Sequence, residues 1–220
     1  SDYPSTNGSL LVWSDNRVGN WNIYGFDYFT RAEKPISQGG YDQLYPKASA
    51  DRVVWADYRN GNADIYIKNL TSGIESTLAG GKGDQTWPSI SGQNVVWMDN
   101  SSGNWDIYML NLQNLSKGDR QPIHKGPGQQ MYPVISGDLV VWQDNRNGDF
   151  DIYVKDIAEG NETKLTGEGD QLYPDISGNT IAWEDGESQD ISYYFWDKKW
   201  GKSYPRPGEQ TSPVVSGKYI

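Results

Sequence analysis

An all-β chain of tandem four-stranded units is predicted by three landmarks that recur in fixed order. The first is a short apolar run closing in Trp-x-Asp, found at Leu11–Asp15, Val53–Asp57, Val95–Asp99, Val140–Asp144 and Ile181–Asp185. Its tryptophans, Trp13, Trp55, Trp97, Trp142 and Trp183, are spaced by 42, 42, 45 and 41 residues. The second is a proline, at Pro4, Pro46, Pro88, Pro133, Pro174 and Pro213. The third is Ile-Tyr, at Ile23-Tyr24, Ile65-Tyr66, Ile107-Tyr108 and Ile152-Tyr153, with Ile191-Ser192-Tyr193 a degraded fifth copy. Self-similarity at a fixed period of this size marks a repeat architecture.

One unit resolves into four strands. Strand A is Pro88–Ser91, and a glycine turn leads to strand B, Asn94–Trp97. A polar loop over 99–104 precedes strand C, Asp106–Leu110, and strand D surrounds Gln121–His124. β-branched and aromatic runs divided by Gly, Asn, Asp and Ser clusters are the pattern of strands and turns. No stretch keeps a 3.6-residue period, so almost no helix is expected. Four strands in about 42 residues make one blade of a β-propeller. The expected domain is a single propeller over 1–220, with blades near 3–44, 45–86, 87–131, 132–172 and 173–211. Residues 212–220 repeat strand A and begin strand B. That strand either closes a ring of five blades or starts a sixth.

Composition narrows the function. Apolar residues are 35% of the chain, and rings supply much of the core, with 10 Trp and 15 Tyr against 4 Phe. Disordered chains are also poor in apolar residues, but they lack aromatic and β-branched side chains; this chain folds. A net charge of −10 argues against nucleic acid, which needs a basic patch, and against an anionic membrane surface. With no cysteine, neither disulfides nor thiolate metal sites hold the fold. No apolar run approaches the length of a membrane span, so no membrane insertion is expected. The start at Ser1-Asp2-Tyr3-Pro4 has no signal-peptide pattern and is expected to be that of a mature or excised module of a larger protein.

The string Val140–Asp156, Val-Val-Trp-Gln-Asp-Asn-Arg-Asn-Gly-Asp-Phe-Asp-Ile-Tyr-Val-Lys-Asp, resembles the TolB-type, WD40-like propeller repeat. It is similar above all to copies in secreted and surface-layer proteins of archaea and some bacteria, and the resemblance covers essentially the whole chain. It implies an extracellular or cell-surface adhesion, scaffold or docking module. The sequence shows neither the hydrolase domain that accompanies propellers in prolyl-oligopeptidase-like enzymes nor the N-terminal domain of TolB itself, so those specific roles are not carried over.

In a blade the B–C and D–A loops emerge on one face. The B–C loop carries Asp-x-Arg-x-Gly, with Arg17, Arg59 and Arg146; the D–A loop carries Gly-Asp-Gln-x-aromatic-Pro at 83–88 and 169–174, with Asp84 and Asp170, and Asp42 holds the same place before Gln43. Arg from one loop is expected to pair with Asp from the next as a structural brace. Blade three, which has Ser101 for Arg and Gln129 for Asp, loses both charges together; blade five, with Glu187 and Glu209, does not follow. Gln43, Gln85, Gln130, Gln171 and Gln210 stand three residues before a proline, and Tyr45, Trp87, Tyr132 and Tyr173 one before it, with Ser212 the exception. Rings beside amides suit a sugar or a peptide. These glutamines and aromatics are therefore the candidate ligand face; the competing reading is that they stack one blade on the next.

Other features carry less. The strand-B tryptophans belong to the core by period-2 placement. Trp21, Trp105, Trp196 and Trp200 are expected at the surface, the last two beside the dense aromatic run Tyr193–Trp196. Asn145-x-Asn147-Gly148-Asp149-x-Asp151 offers oxygen ligands but lacks EF-hand spacing, so no metal and no cofactor is assigned. His124 is the lone histidine, no Gly-x-Ser-x-Gly elbow exists, and the acids recur blade by blade where a glycosidase needs one asymmetric pair. Asn-x-Ser/Thr occurs at Asn7, Asn69, Asn100, Asn114 and Asn161, in keeping with export. The leading expectation is a non-catalytic surface module binding a glycan or a protein. The alternatives are a spacer domain of a surface layer without small ligand, and a five-bladed glycosidase-like enzyme.

Overall fold

A computed structural model describes residues 2–117, 120–205, 208, 210–217 and 219. Twenty strands form five four-stranded antiparallel sheets, each running in simple sequence order. Blade one is β1 Asp2–Thr6, β2 Leu10–Asp15, β3 Asn22–Asp27 and β4 Ala32–Ser37; blade two is β5 Gln43–Ser49, β6 Arg52–Asp57, β7 Asp64–Asn69 and β8 Glu75–Ala79. Blade three is β9 Gln85–Ser91, β10 Asn94–Asp99, β11 Asp106–Asn111 and β12 Gln121–His124. Blade four is β13 Gln130–Ser136, β14 Leu139–Asp144, β15 Asp151–Asp156 and β16 Glu162–Lys164. Blade five is β17 Gln171–Ser177, β18 Thr180–Asp185, β19 Ile191–Phe195 and β20 Trp200–Tyr204. The 3-10 turn Leu112–Lys117 is the one helical element among the described residues, and no helix there is long and apolar enough to cross a membrane.

The inner strand begins three residues earlier than the proline suggested in blades two to five, and two earlier among the described residues of blade one, because it carries a bulge. In blade two Gln43 pairs with Asp57 and Leu44 with Ala56, then the register skips to Lys47 opposite Val54. Tyr45 and Pro46 therefore stand together opposite Trp55. The same skip sets Tyr3-Pro4 against Trp13, Trp87-Pro88 against Trp97, Tyr132-Pro133 against Trp142 and Tyr173-Pro174 against Trp183. Two residues facing one leave ladder positions unpaired, which is where a strand tolerates proline, having no N–H to donate. The repeated proline is the sequence mark of this bulge.

The chain divides into two compact units, Ser1–Gly103 with Tyr108–Gln121, and Asn104–Ile107 with Pro122–Ile220. In the first, Val12, Ile23 and Ile36 of blade one pack on Val53, Trp55 and Tyr66 of blade two. Val54, Ile65 and Ile67 on the opposite face of blade two meet Ile90, Val95 and Trp97 of blade three. In the second, Val141, Ile152 and Val154 of blade four meet Ile176, Ile181 and Trp183 of blade five. In each of these pairs the earlier blade presents its Val/Ile face and the later blade its Trp face. This is what alternation along a strand buried on both faces requires. Each of these aliphatic side chains contributes roughly 1.5–3 kcal/mol when fully buried.

Three of the D–A loops carry a glycine of positive φ at one position, Gly83, Gly128 and Gly169. Gly83 and Gly128 have φ of 74° and 82°, a region where a Cβ is strained. A Cβ on Gly128 would also lie 2.7 Å from Asn145 Oδ1 and 2.9 Å from Arg146 N. Gly128→Ala is expected to cost about 1–3 kcal/mol in urea unfolding. Gly167→Ala, where a Cβ meets open space and φ is not positive, should stay within about 0.5 kcal/mol of wild type.

Candidate functional site

The loop face is assembled around the buried carboxylate that ends strand B. Asp57, wholly buried, accepts Trp55 Nε1 at 3.0 Å and Gln43 Nε2 at 2.8 Å. Arg59 grips it with two parallel bonds, Nε at 2.8 Å and Nη2 at 2.6 Å, a charge-assisted fork. The same guanidinium lies 4.1 Å over the Tyr66 ring and reaches Glu75 on the outer strand at 2.8 Å. Blade one repeats this with Trp13, Asp15, Arg17, Tyr24 and Glu33. Blade four repeats it with Trp142, Asp144, Arg146, Tyr153 and Glu162. Burial would push the Asp57 carboxyl up, but bonds from Arg59, Trp55 and Gln43 outweigh it and hold it below the usual range; the bond from Arg17 does the same for Asp15.

This corrects the expected brace. Arg17, Arg59 and Arg146 do not pair with Asp42, Asp84 and Asp170 of the next loop; each closes on the Asp two residues before it and the Glu sixteen residues after it. The D–A aspartates instead receive the backbone N–H that ends the B–C loop: Asp42 from Trp21 at 3.0 Å, Asp84 from Ala63 at 2.9 Å and Asp170 from Phe150 at 2.8 Å. An amide oxygen does this equally well, and Gln129 accepts Trp105 N–H at 3.1 Å. Arg and Asp therefore vanish from blade three independently. There Arg120, from just before the outer strand, reaches Asp99 at 3.3 Å in place of the missing loop arginine. In blade five Asp185 accepts the backbone N–H groups of Glu187 and Ser188.

The glutamines are also corrected. Gln43, Gln85, Gln130 and Gln171 are not on an exposed face; they are 0–5% exposed. Gln130 and Gln171 donate to Asp144 and Asp185, while Gln85 donates to the carbonyls of Lys82 and Gly83. Their period-3 distance from the proline places them in the strand before the bulge, where the side chain points inward. Gln210 is partly buried, and its enclosed Nε2 has no hydrogen-bond partner among the described residues.

The aromatics behave differently. Tyr3, Tyr45, Trp87, Tyr132 and Tyr173 all have φ between 50° and 57°, a region bulky residues avoid. The bulge turns their rings out of the sheet and against one another. In the first unit Tyr45 stacks on Trp87 at 4.1 Å between centroids and Tyr3 meets Tyr45 edge-on at 4.5 Å. In the second, Tyr132 and Tyr173 lie 5.2 Å apart. Tyr3 and Tyr173 are 43% and 42% exposed, and Tyr45, Trp87 and Tyr132 are half-buried. Tyr3 was missing from the candidate set although Tyr3-Pro4 carries the same signal. Glu33, Glu75 and Glu162 were missed as well, and their constant offset from Arg was legible.

Among the remaining tryptophans Trp200 is exposed, stacked on Phe195 at 6.0 Å. Trp21, Trp105 and Trp196 are half-buried, not surface residues: the N–H groups of the first two donate to Asp42 and Gln129, and Trp196 packs on the blade-four/blade-five core. Asn7 and Asn69 spend their Nδ2 groups on Ala50 O and Asp51. Asp151 is held by Lys164 at 2.8 Å. His124 lies 3.2 Å from Glu162.

No family model matches the sequence, and no curated protein sequence matches it. Solved structures do match. TolB from Acinetobacter baumannii superposes with a TM-score of 0.72 at 16% identity, over 97% of this chain and 56% of that one. A TolB protein from Agrobacterium tumefaciens gives 0.71 at 15% identity, over 92% and 79%. A chain of the nidogen/laminin complex gives 0.64 at 12% identity, over 91% and 78%. The fold is a β-propeller, similar to those of the two TolB proteins. Its five described sheets are the blades the repeat predicted, and the chain spans little more than half the length of the Acinetobacter TolB it resembles.

Two outcomes follow for the propeller. Asp57→Ala leaves Arg59 and the Trp55 indole without their partner and should cost about 3–5 kcal/mol in urea unfolding. Burial pushes Glu162 up, but bonds from His124 and Arg146 outweigh it and hold it at about 2. With its folded value below the unfolded one, its stabilising contribution is complete above roughly pH 4.5 and disappears as pH falls toward 2. Between pH 5 and pH 3 the urea midpoint of Glu162→Gln should therefore fall less than that of wild type.

Proposed function

We propose that the chain is a non-catalytic interaction module of an exported or cell-surface protein, and that it docks a polypeptide partner on the stacked bulge aromatics of the first unit, Tyr3, Tyr45 and Trp87. The observation that carries this reading is the left-handed backbone of Tyr3, Tyr45 and Trp87. Such a conformation costs on the order of 1–3 kcal/mol at each residue, and glycine would adopt it without strain. Stacking between the rings returns about 0.5–1.5 kcal/mol per pair, which offsets only part. Aromatic side chains kept against that cost, and partly open to solvent, have the chemistry of rigid contact residues in protein interfaces.

Protein is favoured over glycan by the buried glutamines. A sugar edge needs exposed amide or carboxylate groups beside the rings, and Gln43, Gln85, Gln130 and Gln171 turn theirs inward. The net charge of −10 favours a neutral or basic partner through long-range steering. The nidogen/laminin complex holds a protein of this fold within a protein assembly. The non-catalytic reading is supported by His124, whose ring is engaged by Glu162 and stacked on Trp142.

Peptide and glycan arrays probed with the wild-type chain, and with a Tyr45→Gly, Trp87→Gly variant, test the proposal. Peptides should bind, and the variant should lose at least tenfold in affinity while its thermal midpoint is maintained, because glycine relaxes the φ of both positions. Retention on glycans alone would replace the partner class. Blank arrays would favour the spacer-domain reading, and peptide binding indifferent to both substitutions would remove the aromatic face.

A further inference from the structure

The first unit holds its own arginines in one way, three times over among the described residues. Arg17, Arg59 and Arg120 lie 4.3, 4.1 and 5.8 Å from the ring centroids of Tyr24, Tyr66 and Tyr108. Each is paired at the same time with a carboxylate, that of Asp15, Asp57 and Asp99 respectively. A cation set between an aromatic face and an acid is held by the ring quadrupole and by the opposite charge together. Asp42 and Asp84 bring acids to a second group of rings in the same unit. Each stands three residues before a bulge aromatic, Tyr45 and Trp87, and gives one oxygen, Oδ1, to a backbone N–H. Neither has a lysine or arginine partner among the described residues. Asp42 is exposed and Asp84 half-buried.

A departure from the repeat adds a fourth ring at this place. The residue after Trp-x-Asp is Asn16, Asn100 and Asn145 in blades one, three and four, and Gly186 in blade five. Asn100 and Asn145 accept the backbone N–H groups of Asp84 and Gln129 at 2.7 and 2.6 Å, which pins the D–A loop. Blade two has Tyr58 instead, and no such bond to Asp42 N–H is present among the described residues. Burial is the largest cause raising the Tyr58 phenol, and the charges of Asp84 and Asp42, with the Tyr3 phenol, add to it. The Tyr58 ring therefore stands within the field of both carboxylates and near Tyr3. Tyr3 in turn meets Tyr45 and Trp87 edge-on, at 4.5 and 5.8 Å between centroids.

We propose that the docked polypeptide presents a basic side chain, lysine or arginine, to the cluster of Tyr3, Tyr45, Tyr58 and Trp87, with Asp42 and Asp84 as its counter-charges. This inference rests on the docking reading above and supplies its specificity. The net charge of −10 draws a cationic segment in from a distance, and selection follows at contact. There a basic side chain meets rings and carboxylates together, the combination that holds Arg17, Arg59 and Arg120. An acidic side chain meets two like charges, and an apolar one covers the carboxylates without pairing them.

The test uses the 15N-labelled 220-residue chain and four blocked peptides, acetyl-Ser-Gly-Pro-Xaa-Pro-Gly-Ser-amide, with lysine, arginine, norleucine or glutamate at Xaa. The Trp87 indole N–H resonance, identified by its loss in Trp87→Phe, reports binding. The lysine and arginine peptides should shift it with a Kd at least tenfold below that of the norleucine peptide, and the glutamate peptide should leave it unmoved. Raising sodium chloride from about 0.05 to about 0.5 M should weaken the lysine peptide at least threefold, because exposed charges are screened. A chain carrying Asp42→Asn and Asp84→Asn should lose most of its preference for lysine over norleucine. Its thermal midpoint should hold, since an amide oxygen can accept the Trp21 and Ala63 N–H groups as Gln129 accepts that of Trp105. Tyr58→Asn, a change to the residue type of blades one, three and four, should weaken the lysine peptide several-fold with no loss of stability. Equal binding of the lysine and norleucine peptides, or a lysine preference untouched by the paired Asp substitutions, would overturn the inference and leave polypeptide docking standing. So would an unmoved Trp87 resonance with all four peptides while array peptides bind; blank arrays would remove both readings.

Discussion

A carboxylate removed from water at the end of strand B sets the terms for the rest of each blade. Left alone in a sheet interior such a group would be severely destabilising, and the blade answers with an indole N–H, a buried amide, an arginine fork and a backbone N–H from the following turn. In blades two and four these donors converge from the inner strand, the second strand and the B–C loop, and in blade one from the second strand and the loop. The carboxylate thereby ties the strands together at the loop end. The arginine then needs a counter-charge and a platform, supplied by the outer-strand glutamate and the strand-C tyrosine.

Blades three and five show which parts of this arrangement are exchangeable. In blade three the cation arrives from Arg120 instead of the B–C loop; in blade five backbone N–H groups and Gln171 serve Asp185. What persists in all five is the acid and its need for donors. The donor's place in the chain matters less than its position in space, because a hydrogen bond depends on distance and angle alone.

The bulge is the second constraint, and it separates structural from exposed chemistry. Residues before it, the glutamines, turn inward to the carboxylate. The residue at its corner, an aromatic in a left-handed conformation, turns outward. One inserted residue re-aims one side chain per blade and repeats that aim at each blade, so the rings of neighbouring blades meet. The proline beside it exploits the one place in the strand where no N–H is required.

Much of this was legible in the residues. Period, strand order and the burial of Trp55, Trp97 and Trp142 followed from spacing and alternation, since both express the local geometry of a pleated strand. Glu33, Glu75 and Glu162 could have been read from their constant distance to arginine. The partners of Arg17, Arg59 and Arg146 could not: two acids lay within reach along the chain, and only the three-dimensional path shows that the loop arginine folds back on its own strand while Asp42, Asp84 and Asp170 face backbone N–H groups. The same holds for Gln and Tyr, two residues apart in sequence and sent to opposite sides by a bulge. Repetition and period are properties of a sequence; the direction of a side chain beyond an irregular residue is a property of the fold, because it is decided by which strand pairs with which and in what register.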